Sequence, residues 1–144
     1  MELATEENDD LVSKVYTRIM EEVHAEKRIT DHENFIFQIE LLSQEVNSGA
    51  SFEQYFRWVG KPELDQILGH VKNLNLPPVY EIVNEALIIA FPNGVPEDDD
   101  EYEDCTDWSD IQQERLSELF EKFEDYNGVI INKLGRFIQE NSIS

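Results

Sequence analysis

Nine carboxylates crowd the stretch from Glu97 to Asp110: Glu97, Asp98, Asp99, Asp100, Glu101, Glu103, Asp104, Asp107 and Asp110, with no lysine or arginine among them. Side chains of this kind can ligate a hard cation, attract a cationic macromolecule, or stay hydrated without a specific task. A calcium loop needs oxygens at alternating positions, a glycine at the sixth for the sharp turn and a glutamate at the twelfth. Counted from Asp98 the sixth residue is Glu103, and counted from Asp99 it is Asp104. With no glycine to make the turn, a dedicated calcium loop is not expected. A solvated loop and a partner-binding patch both stay open.

Other reactive residue types are sparse. His24, His32 and His70 stand at irregular spacing and form no HExxH pair, so the sequence gives no metal ligands. It also lacks the GxSxG, GxGxxG and Walker lysine patterns. Among 32 acidic residues some pair will fall at glycosidase distance by chance, so such a pair would carry no information. Cys105 is the single cysteine, which precludes an internal disulfide, and its acidic neighbours raise a thiol pKa and discourage nucleophilic use. The expectation is a protein without catalytic residues, cofactor or bound metal, and not an enzyme.

The charge balance points to binding instead. Eleven basic residues face 32 acidic ones, for a formal net charge of -21. Such a chain repels itself, stays soluble and steers cationic partners toward it. The sign argues against direct nucleic-acid binding, which depends on lysine and arginine neutralising phosphates, and against anionic membranes. A folded chain of this mass exposes roughly 7,700 Å², or about one net charge per ~360 Å². Duplex DNA, with a charge every ~1.7 Å of axis, carries near one per ~100 Å². Spread evenly, these carboxylates are too dilute to imitate DNA; gathered on one face, they could match it. Glu114, Glu118 and Glu121 have helical spacings that set side chains about 5–6 Å apart.

The scaffold that must hold these groups reads as all-α. Hydrophobic residues make up 40% of the 144, enough for a core. Residues 1–8 are polar and expected to fray, and 9–144 form a single helical domain. Leu11, Val12, Val15, Tyr16, Ile19, Met20 and Val23 trace one helical stripe, with Asp9 or Asp10 as its cap. A second helix, from about Asp31 to Val46, places Phe35, Ile39, Leu42 and Val46 on one face and Phe37 and Leu41 on another, as a central helix would. Ser51 and Gln54 have capping-box spacing ahead of Phe52, Tyr55, Phe56 and Trp58. These aromatics suit a helix core, although a tryptophan among them could equally be an exposed anchor. Pro62 opens a helix with Leu64, Ile67, Leu68 and Val71, and Pro77-Pro78 open another through Ala90. Phe91-Pro92-Asn93-Gly94 is a turn, Ser109 and Gln112 form a second capping box, and Asn127-Gly128 turns into the last helix. The expected architecture is a compact bundle of about six to seven helices with the acidic loop before the last two. The longest apolar run, Ala86 to Phe91, is far short of a membrane span, and the acidic start lacks a secretory leader pattern. A cytoplasmic location is expected.

Val46-Asn47-Ser48-Gly49-Ala50-Ser51-Phe52-Glu53-Gln54-Tyr55-Phe56 resembles the signature of a bacterial family, the DNA mimic protein nineteen family. The turn Phe91-Pro92-Asn93-Gly94-Val95-Pro96 before an acidic stretch, and the ending Phe137-Ile138-Gln139-Glu140-Asn141, are similar too, so the likeness spans roughly residues 35 to 141. Asn47, Gly49, Phe52, Gln54, Tyr55 and Phe56 match the motif; Ser48, Ala50 and Arg57-Trp58 depart from it. The matching residues read as structural: Asn47 and Gly49 shape a turn, Gln54 caps a helix and the aromatics pack. The resemblance implies an all-helical domain. The family's founding member is a dimeric acidic protein that presents DNA-like charge to a DNA-binding transcription factor. By this analogy the chain is a regulatory protein whose partner is a basic, DNA-binding protein, and a homodimer is open. The alternative is an interaction module that does not imitate DNA, such as an immunity or accessory protein using the segment around Trp58.

Overall fold

The computed structural model of the chain describes residues 3–98, 101–102 and 105–144. Among them are seven helices and no strand: α1 (Thr5–His24), α2 (Asp31–Gly49), α3 (Glu53–Trp58), α4 (Lys61–Asn73), α5 (Pro77–Ala90), α6 (Asp110–Glu124) and α7 (Asn127–Glu140). This is the expected all-α bundle with one long connection, residues 91–109, ahead of its last two helices. No helix of the described residues is long and apolar enough to cross a membrane.

The helix ends follow side-chain chemistry. Thr30 caps α2, its hydroxyl accepting from the Glu33 amide at 3.1 Å while the Glu33 carboxylate accepts from the Thr30 amide at 2.9 Å. Ser109 and Gln112 make the same reciprocal pair at the start of α6. Pro77 and Pro78 occupy the first positions of α5, where no amide donor is required. Gly94, at φ 87, closes the turn that follows that helix, its amide donating to the Phe91 carbonyl.

Three expectations at this level are corrected. Helix α1 begins at Thr5 rather than at Asp9 or Asp10, and Asn8, expected to fray, is buried. Asn8 is held because its Nδ2 donates to Asn132 Oδ1 of α7 at 2.9 Å, while Asn132 Nδ2 donates to Thr5 Oγ1 at 3.1 Å. Asn47 and Gly49 lie inside α2 instead of shaping a turn; the left-handed residue that ends the helix is Ala50, at φ 52. Ser51 and Gln54 form no capping box. Ser51 Oγ accepts from the Glu53 amide, and Gln54 Nε2 reaches back to Glu45 Oε2 at 2.7 Å.

Helix α2 is central, packing against α1, α3, α4 and α6. Its buried face carries Phe35, Ile36, Ile39, Leu42 and Val46, while Phe37 and Leu41 are half-buried beside it. The core continues through Phe52, Tyr55 and Phe56 of the α3 segment to Leu116 and Phe123 of α6, with Phe52 meeting Phe123 edge-on at 5.6 Å. Helices α1 and α7 close the bundle against each other, so the first and last helices are neighbours.

Candidate functional site

Helix α6 carries a row of exposed acids, none of them in an ion pair among the described residues. Leu116, Leu119 and Phe123 face the core. Asp110, Glu114, Glu118, Glu121 and Asp125 follow spacings of four, four, three and four residues on the opposite side, and all five are exposed. Such spacing stacks side chains into a single stripe about 5–6 Å apart. Asp110 to Asp125 rises about 22 Å at 1.5 Å per residue, giving a carboxylate every ~5–6 Å, against a phosphate per ~3.4 Å on each DNA strand. The row thus reaches roughly three-fifths of one strand's linear charge density. Averaged over the whole surface of 8567 Å², the net charge of -21 comes to only about one per ~410 Å². The concentration comes from the helix.

Apart from Lys122, exposed on α6 four residues after Glu118 and three before Asp125, the cations are placed or engaged elsewhere. The ion pairs among the described residues are Arg18 with Glu22 and Glu33, Arg57 with Glu53, Lys61 with Asp65, Arg115 with Glu85, and Arg136 with Glu140. None includes a member of the row. Arg115, on α6 itself, leans across to Glu85 of α5 at 3.6 Å. A depression of about 520 Å³ on the α1–α7 side collects Lys133 and Arg136 beside Leu3, Asn8 and Asn132.

The acidic segment before α6 is partly resolved into a role. Glu97, Asp98, Glu101 and Asp107 are exposed, Asp110 begins the row, and Asp99, Asp100, Glu103 and Asp104 lie outside the described residues. The segment does not float free, as a fully solvated loop would. Trp108 is buried, donating its indole N–H to the Ala90 carbonyl at 3.0 Å. The Tyr102 hydroxyl lies between the carbonyl oxygens of Phe56 and Val59, 2.9 Å from the latter. Burial and the nearby Glu63 push the Tyr102 phenol up to about 12, so it stays a neutral donor. Reading the segment as a charge run missed these two aromatics. Their presence among the acids was the signal, since large rings seldom stay in water when a core is adjacent.

The motif residues act as structure, though not as expected. Asn47 Nδ2 donates to the Ser43 carbonyl at 2.7 Å and to Asn127 Oδ1 at 3.1 Å, and Asn127 Nδ2 donates back to Asn47 Oδ1 at 2.8 Å. This reciprocal amide pair fastens α2 to the start of α7. Gly49 gives room to Gln54, whose Cβ would lie 2.8 Å from a methyl group there. Phe52, Tyr55 and Phe56 are fully buried, but Trp58 is 79% exposed, which overturns its place in the core and leaves its reading as an exposed anchor.

The other candidate chemistry stays dispersed. His24 and His32 are exposed. His70 is half-buried beside Phe35, and that burial lowers its pKa. The described residues contain no group of three histidine, cysteine, aspartate or glutamate side chains able to hold a metal ion. Glu40 is a buried carboxylate between α1 and α2; burial raises its pKa, a hydrogen bond from Gln44 opposes the shift and Asp9 reinforces it.

Among known proteins, the family model described as DMP19-like protein matches residues 27–141. No curated protein and no solved structure matches the chain.

Proposed function

This chain belongs to the DMP19-like protein family, and from that membership we propose that it is a regulatory DNA mimic whose α6 carboxylate row occupies the DNA-binding surface of a basic protein. The observation that carries the reading is the row from Asp110 to Asp125, exposed and in none of the ion pairs among the described residues. A partner whose lysines and arginines are spaced for phosphates would meet carboxylates at comparable intervals. The nearby Glu97, Asp98, Glu101 and Asp107 extend the field that steers such a partner. A location in the cytoplasm, with the DNA-binding proteins of the cell, belongs to the same proposal.

The test is displacement from DNA. Proteins of the source cells are loaded on immobilised duplex DNA and eluted with the chain, or with a Glu114→Gln, Glu118→Gln, Glu121→Gln variant. The reading expects the native chain to release a specific basic protein at a concentration where the variant does not. Equal release by both would remove the row from the mechanism. The exposure of Trp58 favours a second reading, in which an apolar contact rather than the row holds the partner; under it, only Trp58→Ala abolishes binding.

A further inference from the structure

Four large hydrophobic side chains are exposed among the described residues: Trp58 at 79%, Ile111 at 71%, Ile88 at 59% and Val129 at 42%. Three of them belong to the end of the molecule where the carboxylate row starts. Ile111 immediately follows Asp110, the first acid of the row. Gln112 Nε2 donates to the Ile89 carbonyl at 2.8 Å, which brings the start of α6, with Ile111, beside the end of α5, with Ile88. Arg57 holds its guanidinium 5.3 Å over the ring of Trp108, two residues ahead of α6, and so ties the base of Trp58 to the same end.

Single exposed hydrophobics are ordinary on a soluble protein. A tryptophan and two isoleucines exposed at the end of the molecule where a charged row starts are a different arrangement, because tryptophan is among the residues that most often dominate binding energy. We propose that Trp58, with Ile111 and Ile88, is the apolar anchor of the partner site and enters an apolar pocket on a cationic protein whose basic surface then lies along α6. This rests on the reading of the row given above, and adds the shape of surface that the partner must have. Charge decides the occupant. A second copy seated here would bring Glu101, Asp107 and Asp110 of both chains to one place, a like-charge contact that opposes association. A cationic protein gains from both parts. The two parts also divide the work: carboxylates govern the association rate and its salt dependence, while the desolvated anchor governs dissociation and responds little to salt.

The protein carries its own reporter, since of its two tryptophans Trp58 is open and Trp108 is 4% exposed. The probes are two helical peptides of equal positive charge, one with a leucine and phenylalanine stripe beside its lysine face, the other with alanine at those positions. Each is titrated into the full chain, into Trp58→Ala and Trp58→Phe, and into the Glu114→Gln, Glu118→Gln, Glu121→Gln variant, at several salt concentrations. We expect the striped peptide to bind at least about tenfold tighter than the alanine one and to shift the emission of Trp58 to the blue. Trp58→Ala should lose that preference while keeping the salt dependence, and Trp58→Phe should keep most of it. The row variant should do the reverse, retaining the preference while its salt dependence becomes shallower. An unmoved emission together with a preference that survives Trp58→Ala overturns the anchor and leaves the row intact. If Trp58→Ala instead converts a dimer of this chain to a monomer without altering peptide preference, the surface joins two copies and the anchor is likewise overturned. A row variant with unchanged salt dependence sinks the reading of the row, whatever Trp58 does.

Discussion

Asn47 and Asn127 lie eighty positions apart in the chain, yet each amide satisfies the other. Removing one partner strands a part-buried polar group, at a cost of roughly 1–3 kcal/mol. Asn127→Ala should therefore lower the urea midpoint by that equivalent with an unchanged denaturant slope, and a midpoint matching the native protein would show the pair to be incidental. Glu40 gives a prediction of opposite sign. Its folded-state pKa is raised, chiefly by burial, so ionisation destabilises the fold. The stability it allows is fully present below the unfolded glutamate pKa of ~4.3 and is lost as pH rises through the higher folded value. Glu40→Gln should stabilise the protein at pH 7, with the gain fading toward pH 4; a gain that ignores pH would place the effect in packing. Neither residue's task was legible in the sequence. Asn47 two residues before a glycine has the local signature of a turn, and Gln54 three after serine that of a cap. In both cases the side chain found a partner outside the expected local motif, Asn127 for Asn47 and Glu45 for Gln54.

Elements were easier to read than residues. Apolar periodicity locates α2, α4, α5, α6 and α7, because burial on one face of a helix repeats every three to four positions whatever the distant partners are. Ends were legible where a capping side chain is present, as with Ser109 and Gln112, and illegible at α1, where the N-cap is Ala4, its amide donates to the Glu7 carboxylate at 3.3 Å, and Asn8 reaches across to Asn132. The row on α6 follows from the same periodicity: Glu114, Glu118 and Glu121 could be aligned from spacing alone. That the row also takes in Asp110 and Asp125, and that Arg115 turns away toward Glu85, needed the structure. The row costs the helix something, since like charges three or four apart repel by about 0.2–0.5 kcal/mol per pair. Neutralising Glu114, Glu118 and Glu121 to glutamine should raise the melting temperature at low salt, with the difference shrinking as salt screens the repulsion. A variant less stable than the native protein at low salt would mean that those carboxylates support the fold in some other way. A gain in stability paired with a loss of binding is the expected signature of charge kept for recognition.

At the scale of the molecule, the net charge and the all-helical class were plain from composition and pattern, whereas the direction in which the charge points was not. An average over the surface falls well short of DNA; the helix that lifts five acids onto one edge raises the density to roughly three-fifths of that along one strand. The position of Trp58 was likewise hidden, because its neighbours Phe52, Tyr55 and Phe56 are all core and the helix α3 is too short for periodicity to separate the faces. With a net charge of -21 the whole fold should gain stability as sodium chloride is raised, while complexes formed through the row weaken. The most direct test of the account is competition on a labelled DNA duplex held by the protein that the chain displaces from immobilised DNA, followed by fluorescence anisotropy. The account predicts that the native chain releases the duplex, that release weakens steeply with salt, and that the Glu114→Gln, Glu118→Gln, Glu121→Gln variant needs at least about ten times more protein for the same effect. A partner that holds the duplex and the chain together, or a variant as effective as the native protein, would contradict it.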